Sequence, residues 1–290
     1  MSVSDRFTTF LSNITLTDAQ LKDGATKRGS VCKVLNSKYY SLNSETSNSF
    51  YVGSWGKYTR TRPPRDVDVL FKLPFATYQR FQQRTGNKQS QLLQEIKNEL
   101  LASFPKTDIR GDGPVVKVPF GTYAVELLPA VALDNGKYWI PYTAKGGFYK
   151  TVDPVAEEKA ITTSNTATNN NTRDLTRMLK AWQSYCNVPL KSFHLELLSI
   201  NFLSQWTYAG KSATWYDWMC RDFFAYLIRQ SSCYLYAPGT GEAMALGTVW
   251  KSKAESAHHN AAEACGDQDK YPYLATAAWQ RIFGSDIPHD

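Results

Sequence analysis

The segment GSWGKYTRTRPPRDVDVLFKLP, which carries Gly53-Ser54 and then Asp66-Val67-Asp68, constrains this chain more than any other. The two aspartates flank Val67 at the start of an apolar run that continues through Val69, Leu70 and Phe71. In a β-strand, residues i and i+2 share a face. Asp66 and Asp68 are therefore expected side by side, with Val67 and Val69 turned to a core. Carboxylates held that close repel each other unless a cation lies between them. Mg²⁺ suits the position, because it takes hard oxygen ligands and leaves sites for phosphate oxygens. A Gly-Ser turn supplies the complementary half: glycine lets the backbone approach a ligand closely, and successive N–H groups form an anion-binding concavity. The order of parts is an apolar strand end (Phe50-Tyr51-Val52), the Gly-Ser turn, a polar connection and then the acidic strand. That order points to a site for a nucleoside triphosphate and its metals. The competing reading is a hairpin with two solvent-facing acids.

The chain has 290 residues, enough for one large domain or two intimate lobes. Lys and Arg number 33 against 26 Asp and Glu, a net charge of +7. This mild basic bias suits polyphosphate or nucleic-acid handling without requiring either. No block of like charge provides a nucleic-acid tail, and no obligatory nucleic acid is expected. No stretch reads as a membrane span, and MSVSDRFTTFLSNITL lacks the pattern of a secretory signal, so a cytoplasmic protein is expected. The cysteines Cys32, Cys186, Cys220, Cys233 and Cys265 are scattered and odd in number, as for reduced thiols. His258-His259 and Cys265 lack the further cysteines of a four-ligand zinc site and are expected on a helix surface.

Residues 3 to about 41 read as helix. Residues 50–74 read as strand, turn and strand, and 75–104 as helix with a break near Thr85-Gly86-Asn87. Residues 115–120 and 122–132 read as strands. Asp134-Asn135-Gly136 then forms a tight turn into a hairpin over 137–141. This is α+β character with a mixed sheet. Asp153-Pro154 reads as a helix start. The polar run TTSNTATNNNT (162–172) is expected to be a flexible connection between lobes. Everything beyond it reads as helical, with Trp250, Ala254, Ala257, Ala261 and Ala264 on one close-packed face. The expected division is a core over 1–160 and a helical lobe over 161–290.

The Gly-Ser and D-x-D segment resembles the active-site signature of the polymerase-β-like nucleotidyltransferases. RDLTRMLKAWQSYCNVPLKSFHLELLSINFL (173–203) resembles the second-lobe signature of oligoadenylate synthase and cyclic GMP–AMP synthase. WKSKAESAHHNAAEA and AAWQRIFGSDIP resemble the C-terminal helices of their bacterial relatives, the CD-NTases. The resemblance runs from about residue 50 to the C-terminus. It implies a mixed twisted sheet packed on a C-terminal helical lobe, with the active site in the cleft between. It implies an enzyme that joins nucleoside triphosphates, ATP foremost and GTP also, into a cyclic di- or trinucleotide second messenger of anti-phage signalling. Pyrophosphate is the other product. Two Mg²⁺ or Mn²⁺ ions and regulatory protein partners encoded nearby are further implications.

The resemblance also assigns roles to residues. Asp66 and Asp68 would bridge both metals. The family's third acid lies in a strand ending in a Leu/Val-Pro-Ala pattern, and YAVELLPA places Glu126 there. The family's usual residue is aspartate, so Glu126 departs from the pattern. A core-edge acid is its competing reading, and Asp108 and Asp112 are the local alternatives. Gly53 and Ser54 would receive phosphates. Lys180 matches a lysine that reaches the donor triphosphate, although helical periodicity alone puts it in solvent. Ser192 matches a serine whose hydroxyl contacts the triphosphate. Phe193 matches an aromatic that stacks on the donor base and is more often tyrosine. Its competing reading is plain core. Two alternatives remain: a related transferase that adds nucleotides to an RNA end or a protein, and a catalytically silent binding relative.

Overall fold

The computed structural model describes residues 1–64 and 66–289. In chain order the first half contains α1 (Val3–Ile14), α2 (Asp18–Tyr40), β1 (Ser49–Tyr51), α3 (Gly53–Gly56), β2 (Val67–Lys72), α4 (Phe75–Gln82), α5 (Lys88–Ser103), β3 (Arg110–Asp112), β4 (Val115–Pro119), β5 (Ala124–Ala132), β6 (Tyr138–Tyr142) and β7 (Phe148–Val152). The second half contains α6 (Pro154–Ala167), α7 (Asn171–Tyr185), α8 (Ser192–Leu203), α9 (Tyr216–Arg229), β8 (Tyr234–Tyr236), β9 (Ala243–Ala245), α10 (Lys251–Asp267) and α11 (Pro272–Phe283). The fold is α+β, as the sequence predicts.

The chain forms two compact units. One comprises Leu16–Tyr58 and Pro64–Glu158, and the other Met1–Thr15, Thr59–Pro63 and Lys159–Asp290. The division is thus not a single cut near residue 160. Helix α1 falls with the helical unit because its buried face (Phe7, Phe10, Ile14) belongs to that unit's core. Phe7 meets Trp279 edge-on at 5.1 Å, and Phe10 lies 4.8 Å from Phe283.

The sheet unit is built on the strand order β1-β2-β5-β4-β3, with β6 pairing β5 and β7. Strands β2 and β5 are parallel and the other pairs antiparallel, so the sheet is mixed. The parallel pair needs a crossover, which α4 and α5 supply. Thr17 opens α2 with a capping box completed by Gln20, and Asn87 caps α5 at the predicted break. Gly136 supplies the positive φ of +79° in the turn from β5 to β6. Val67, Val69, Val116, Val118, Val125 and Leu127 are fully buried against α2 and α5 residues such as Val31, Leu35, Ile96 and Leu100. That leaves the alternate positions of β2, β4 and β5 on the opposite face of the sheet.

The helical unit buries Leu175, Met178, Leu179 and Trp182 of α7 and the alanine face of α10 with Trp250. Asp153 caps α6, accepting from the Ala156 N–H at 2.9 Å. The polar run over 162–172 differs from expectation. It is helical through Ala167, and Asn165, Thr168, Asn171 and Thr172 are buried. Asn165 Nδ2 donates to Asn170 Oδ1 (2.9 Å), and Asn171 Nδ2 donates to the Ala209 and Lys211 carbonyls (2.8 and 2.7 Å). Satisfied hydrogen bonds let this polar sequence sit inside a packed unit. Strands β8 and β9 form a hairpin in a region that reads as helical. All five cysteines are free thiols.

Candidate active site

Register on the sheet assembles the acidic site. Asp68 pairs with Glu126 across β2 and β5, and Glu126 pairs with Lys117 across β5 and β4. Asp68, Glu126 and Lys117 therefore form one row over three strands, on the face opposite the valine core. Asp66 lies one residue before β2 begins. Lys117 Nζ joins it to the row, 3.0 Å from Asp66 Oδ1 and 2.8 Å from Glu126 Oε1. The three side chains are half-exposed, at 28 % for Lys117, 38 % for Asp66 and 24 % for Glu126.

The electrostatics follow from this crowding. Partial burial pushes the Glu126 carboxyl above its ordinary value; the Asp66 charge adds to this and the hydrogen bond from Lys117 opposes it. Lys117 is held above the ordinary lysine range, first by its hydrogen bond to Glu126.

The Gly-Ser element is a short helical turn, α3, rather than an open loop. Trp55 anchors it: the ring is buried and stacks on Tyr51 at 5.3 Å. Val52 N–H donates to the Asp68 carbonyl at 3.1 Å, which pins the start of the turn to β2. Gly53 has φ +55°, and a Cβ there would collide with Asp68 Oδ2. Only glycine allows the backbone to lie this close to the carboxylate. Ser54 follows as the second residue of α3. The sheet unit thus carries Gly53 and Ser54 on α3, beside the strands that carry Asp66, Asp68 and Glu126. Lys57 of the same unit, itself buried, pairs with the half-exposed Glu157 at 2.7 Å.

The predicted residues of the helical unit have a different environment. Lys180 is buried, not in solvent as periodicity suggests. Its Nζ lies 3.1 Å from Glu196 Oε1 and donates to Thr59 Oγ1 (2.9 Å) and the Thr59 carbonyl (3.1 Å). Thr59 Oγ1 also donates to Glu196 Oε1 at 2.9 Å. Ser192 opens α8, and its hydroxyl donates to Gln183 Oε1 at 3.0 Å. Phe193 is half-buried at the edge of the helical core.

Two residues here escape sequence reasoning. Glu196 sits in an apolar run, Leu195-Glu196-Leu197-Leu198, and an acid in such a run is itself a signal of a buried partner. Lys117 alternates with Val116 and Val118 and reads as an ordinary surface lysine. Its place depends on strand pairing that no local pattern shows.

The acidic cluster fits a divalent cation. Its donors are hard carboxylate oxygens, and the Lys117 ammonium already stands between two of them as a cation would. Among the described residues no three acidic, His or Cys side chains converge as a preformed metal centre. His258 and His259 are exposed or half-exposed on α10, and His259 pairs with Glu263 at 3.3 Å. No helix among the described residues is long and apolar enough to cross a membrane.

Comparison with known proteins agrees with this geometry. The family described as the Second Messenger Oligonucleotide or Dinucleotide Synthetase domain matches residues 1–165. Among solved structures, E. coli CdnC with ATP is similar at TM-score 0.74 and 17% identity, covering 98% of each chain. E. coli CdnC in complex with HORMA-deltaN gives TM-score 0.73 and 16% identity, again covering 98% of each chain. Vibrio cholerae DncV cyclic AMP-GMP synthase with a linear intermediate gives TM-score 0.73 and 12% identity, covering 96% of this chain and 93% of that one. At these identities the likeness carries the fold. No curated protein matches the chain. A mixed sheet with a D-x-D strand, a third acid in register beside it and a glycine turn packed on the second aspartate thus meets a family match over more than half the chain, and the chain belongs to the Second Messenger Oligonucleotide or Dinucleotide Synthetase family, the CD-NTases, as a nucleotidyltransferase.

Proposed function

We propose that this protein joins nucleoside triphosphates into a cyclic di- or trinucleotide and releases pyrophosphate. The carrying observation is the row of Asp68 and Glu126 in register, with Asp66 tied to Glu126 through Lys117 and Gly53 closed on Asp68. In each step a ribose hydroxyl oxygen bonds to the α-phosphorus of a donor. The bond from that phosphorus to the pyrophosphate oxygen breaks, and the hydroxyl proton leaves. A second such step closes a dinucleotide ring and a third closes a trinucleotide.

Asp66, Asp68 and Glu126 would hold two Mg²⁺ or Mn²⁺ ions. Bound there, the ions would activate the attacking hydroxyl and neutralise charge on the leaving pyrophosphate. The chain's own contribution is positioning, as in other phosphoryl transfers. Gly53 and Ser54 offer backbone N–H groups and a hydroxyl to phosphate oxygens. Lys180 and Ser192 are assigned to the donor triphosphate, and Phe193 to its base. The closed Lys180–Glu196–Thr59 contact gives Lys180 a defined resting partner.

ATP is the first substrate to test and GTP the second, in line with the nucleotides in the CdnC and DncV structures. A regulatory protein partner is in keeping with the CdnC:HORMA complex. The proposed setting is anti-phage signalling in the cytoplasm.

The test is incubation of pure protein with labelled ATP, GTP, CTP and UTP and Mg²⁺ or Mn²⁺, followed by phosphatase treatment. Small phosphatase-resistant products support the reading. Label that enters only an added RNA or protein would replace it with end-addition or protein modification.

A further inference from the structure

A feature of the acidic row goes beyond holding a metal: it already contains a cation. Lys117 projects from β4 beside Glu126, its register partner, and reaches Asp66 as well. At 2.8 and 3.0 Å its ammonium satisfies one oxygen of each acid. A divalent ion held by these acids would take up the same carboxylate oxygens as ligands. Such an ion and an ammonium that close cannot share the position, because like charges at contact distance repel strongly. Lys117 and a metal would therefore compete for the oxygens of Asp66 and Glu126.

Exchange is physically open to this lysine. All three side chains are more than a fifth exposed, so the contact lies at the water boundary. An ammonium on a flexible four-carbon stem can swing into solvent and keep its hydration. The contrast is Lys180, which is buried and held by two Thr59 oxygens as well as by Glu196.

We propose that Lys117 is a tethered counter-ion of the carboxylate site. It stabilises Asp66 and Glu126 against their mutual repulsion in the resting protein, and a divalent cation must displace it. Metal loading then waits for a triphosphate, whose oxygens add the ligands that tip the exchange. This rests on the metal-site reading of Asp66, Asp68 and Glu126, and makes Lys117 a positioning residue rather than a catalytic one.

The test counts free Mn²⁺ by electron paramagnetic resonance in titrations of the full chain, without nucleotide and then with a non-hydrolysable ATP analogue. Lys117→Met keeps the stem and removes the charge, Lys117→Gln is a second neutral variant, and Lys117→Arg keeps the charge. Melting curves in EDTA establish that each variant is folded. Without nucleotide, the neutral variants are expected to bind Mn²⁺ at least about tenfold more tightly than wild type, after discounting the Coulomb repulsion for exposure. Lys117→Arg should stay close to wild type. With the analogue, the gap should shrink to about threefold or less as phosphate oxygens join the coordination. Equal Mn²⁺ affinity of wild type and a folded neutral variant without nucleotide overturns the proposal. So does a gap of the same size in Lys117→Arg, which would trace the effect to shape rather than charge. The readout is independent of product formation, so it stands even if the nucleotidyl-transfer assay is negative.

Discussion

Lys117 and Lys180 each contact a glutamate at close to 3 Å, 2.8 Å from Glu126 and 3.1 Å from Glu196, yet water treats the two contacts differently. The first lies at the edge of the sheet's acidic face, with 28 % of the lysine exposed. The second is interior, with 8 % of the lysine and 5 % of the glutamate exposed. A half-exposed contact gains little, because water and salt screen it, and so its partners can be exchanged. A buried contact has already lost its hydration, and removing one partner strands a charge. The same pair of residue types thus forms an exchangeable contact at the water boundary in one unit and an interior resting strut in the other, one that Lys180 has to leave to reach a triphosphate.

The buried side of this comparison carries the largest stability effect. Glu196→Ala should lower unfolding free energy by about 3–5 kcal/mol, because it breaks a buried ion pair. Chemical denaturation measures it. The double variant Lys180→Met with Glu196→Leu should recover most of that loss, since apolar replacements of a buried pair are often neutral. The recovered protein then isolates Lys180's proposed ligand role. It should bind ATP more weakly than wild type while binding AMP about equally, as titration calorimetry would report. Full loss of stability in the double variant would break the strut reading.

On the acidic face the expected stability changes are smaller and the functional ones larger. Gly53→Ala forces a side chain into a left-handed backbone and against Asp68 Oδ2, costing about 1–2 kcal/mol of stability from the backbone alone. Turnover should fall further than stability, because Asp68 must move. Phe193→Ala sharpens the comparison from the helical unit. A lost base stack weakens nucleotide binding by about 1–3 kcal/mol with little change in apo melting. A lost core contact would instead lower apo stability, by about 3–5 kcal/mol if the ring packs as core. Lys117→Met is the smallest case. In EDTA its stability should change by no more than about 1 kcal/mol.

The sequence made the acidic strand legible because its signal is local. Val67 and Val69 alternate with Asp68, and that alternation survives in the burial of β2. Glu126 is reached only through the resemblance of its Leu-Pro-Ala context to the family pattern, and the structure puts it in register with Asp68. Lys117 was not legible, since its role comes from three strands meeting and from no pattern in its own segment. Lys180 shows how periodicity misleads: it lies off the apolar stripe of α7, but Thr59 and Glu196 give its charge buried partners. The polar run over 162–172 misled for the same reason. Composition records that Asn and Thr are polar, and says nothing of the partners that satisfy them. The β8–β9 hairpin had a visible cue, Tyr234-Leu235-Tyr236 before a Gly239-Thr240-Gly241 turn, hidden among strongly helical neighbours.

The central claim is that the carboxylates of the sheet face carry the chemistry. It is tested most directly by comparing wild type with the double variant Asp66→Asn, Asp68→Asn. Both proteins are incubated with labelled ATP and GTP and Mn²⁺, and pyrophosphate and phosphatase-resistant products are quantified together. The acids lie on the face opposite the valine core, so the double variant should fold, with stability close to that of wild type because Lys117 keeps Glu126 as its partner. Wild type should release pyrophosphate in step with a cyclic product, and the folded double variant should form neither. Wild-type levels of pyrophosphate and product from the double variant would contradict the account.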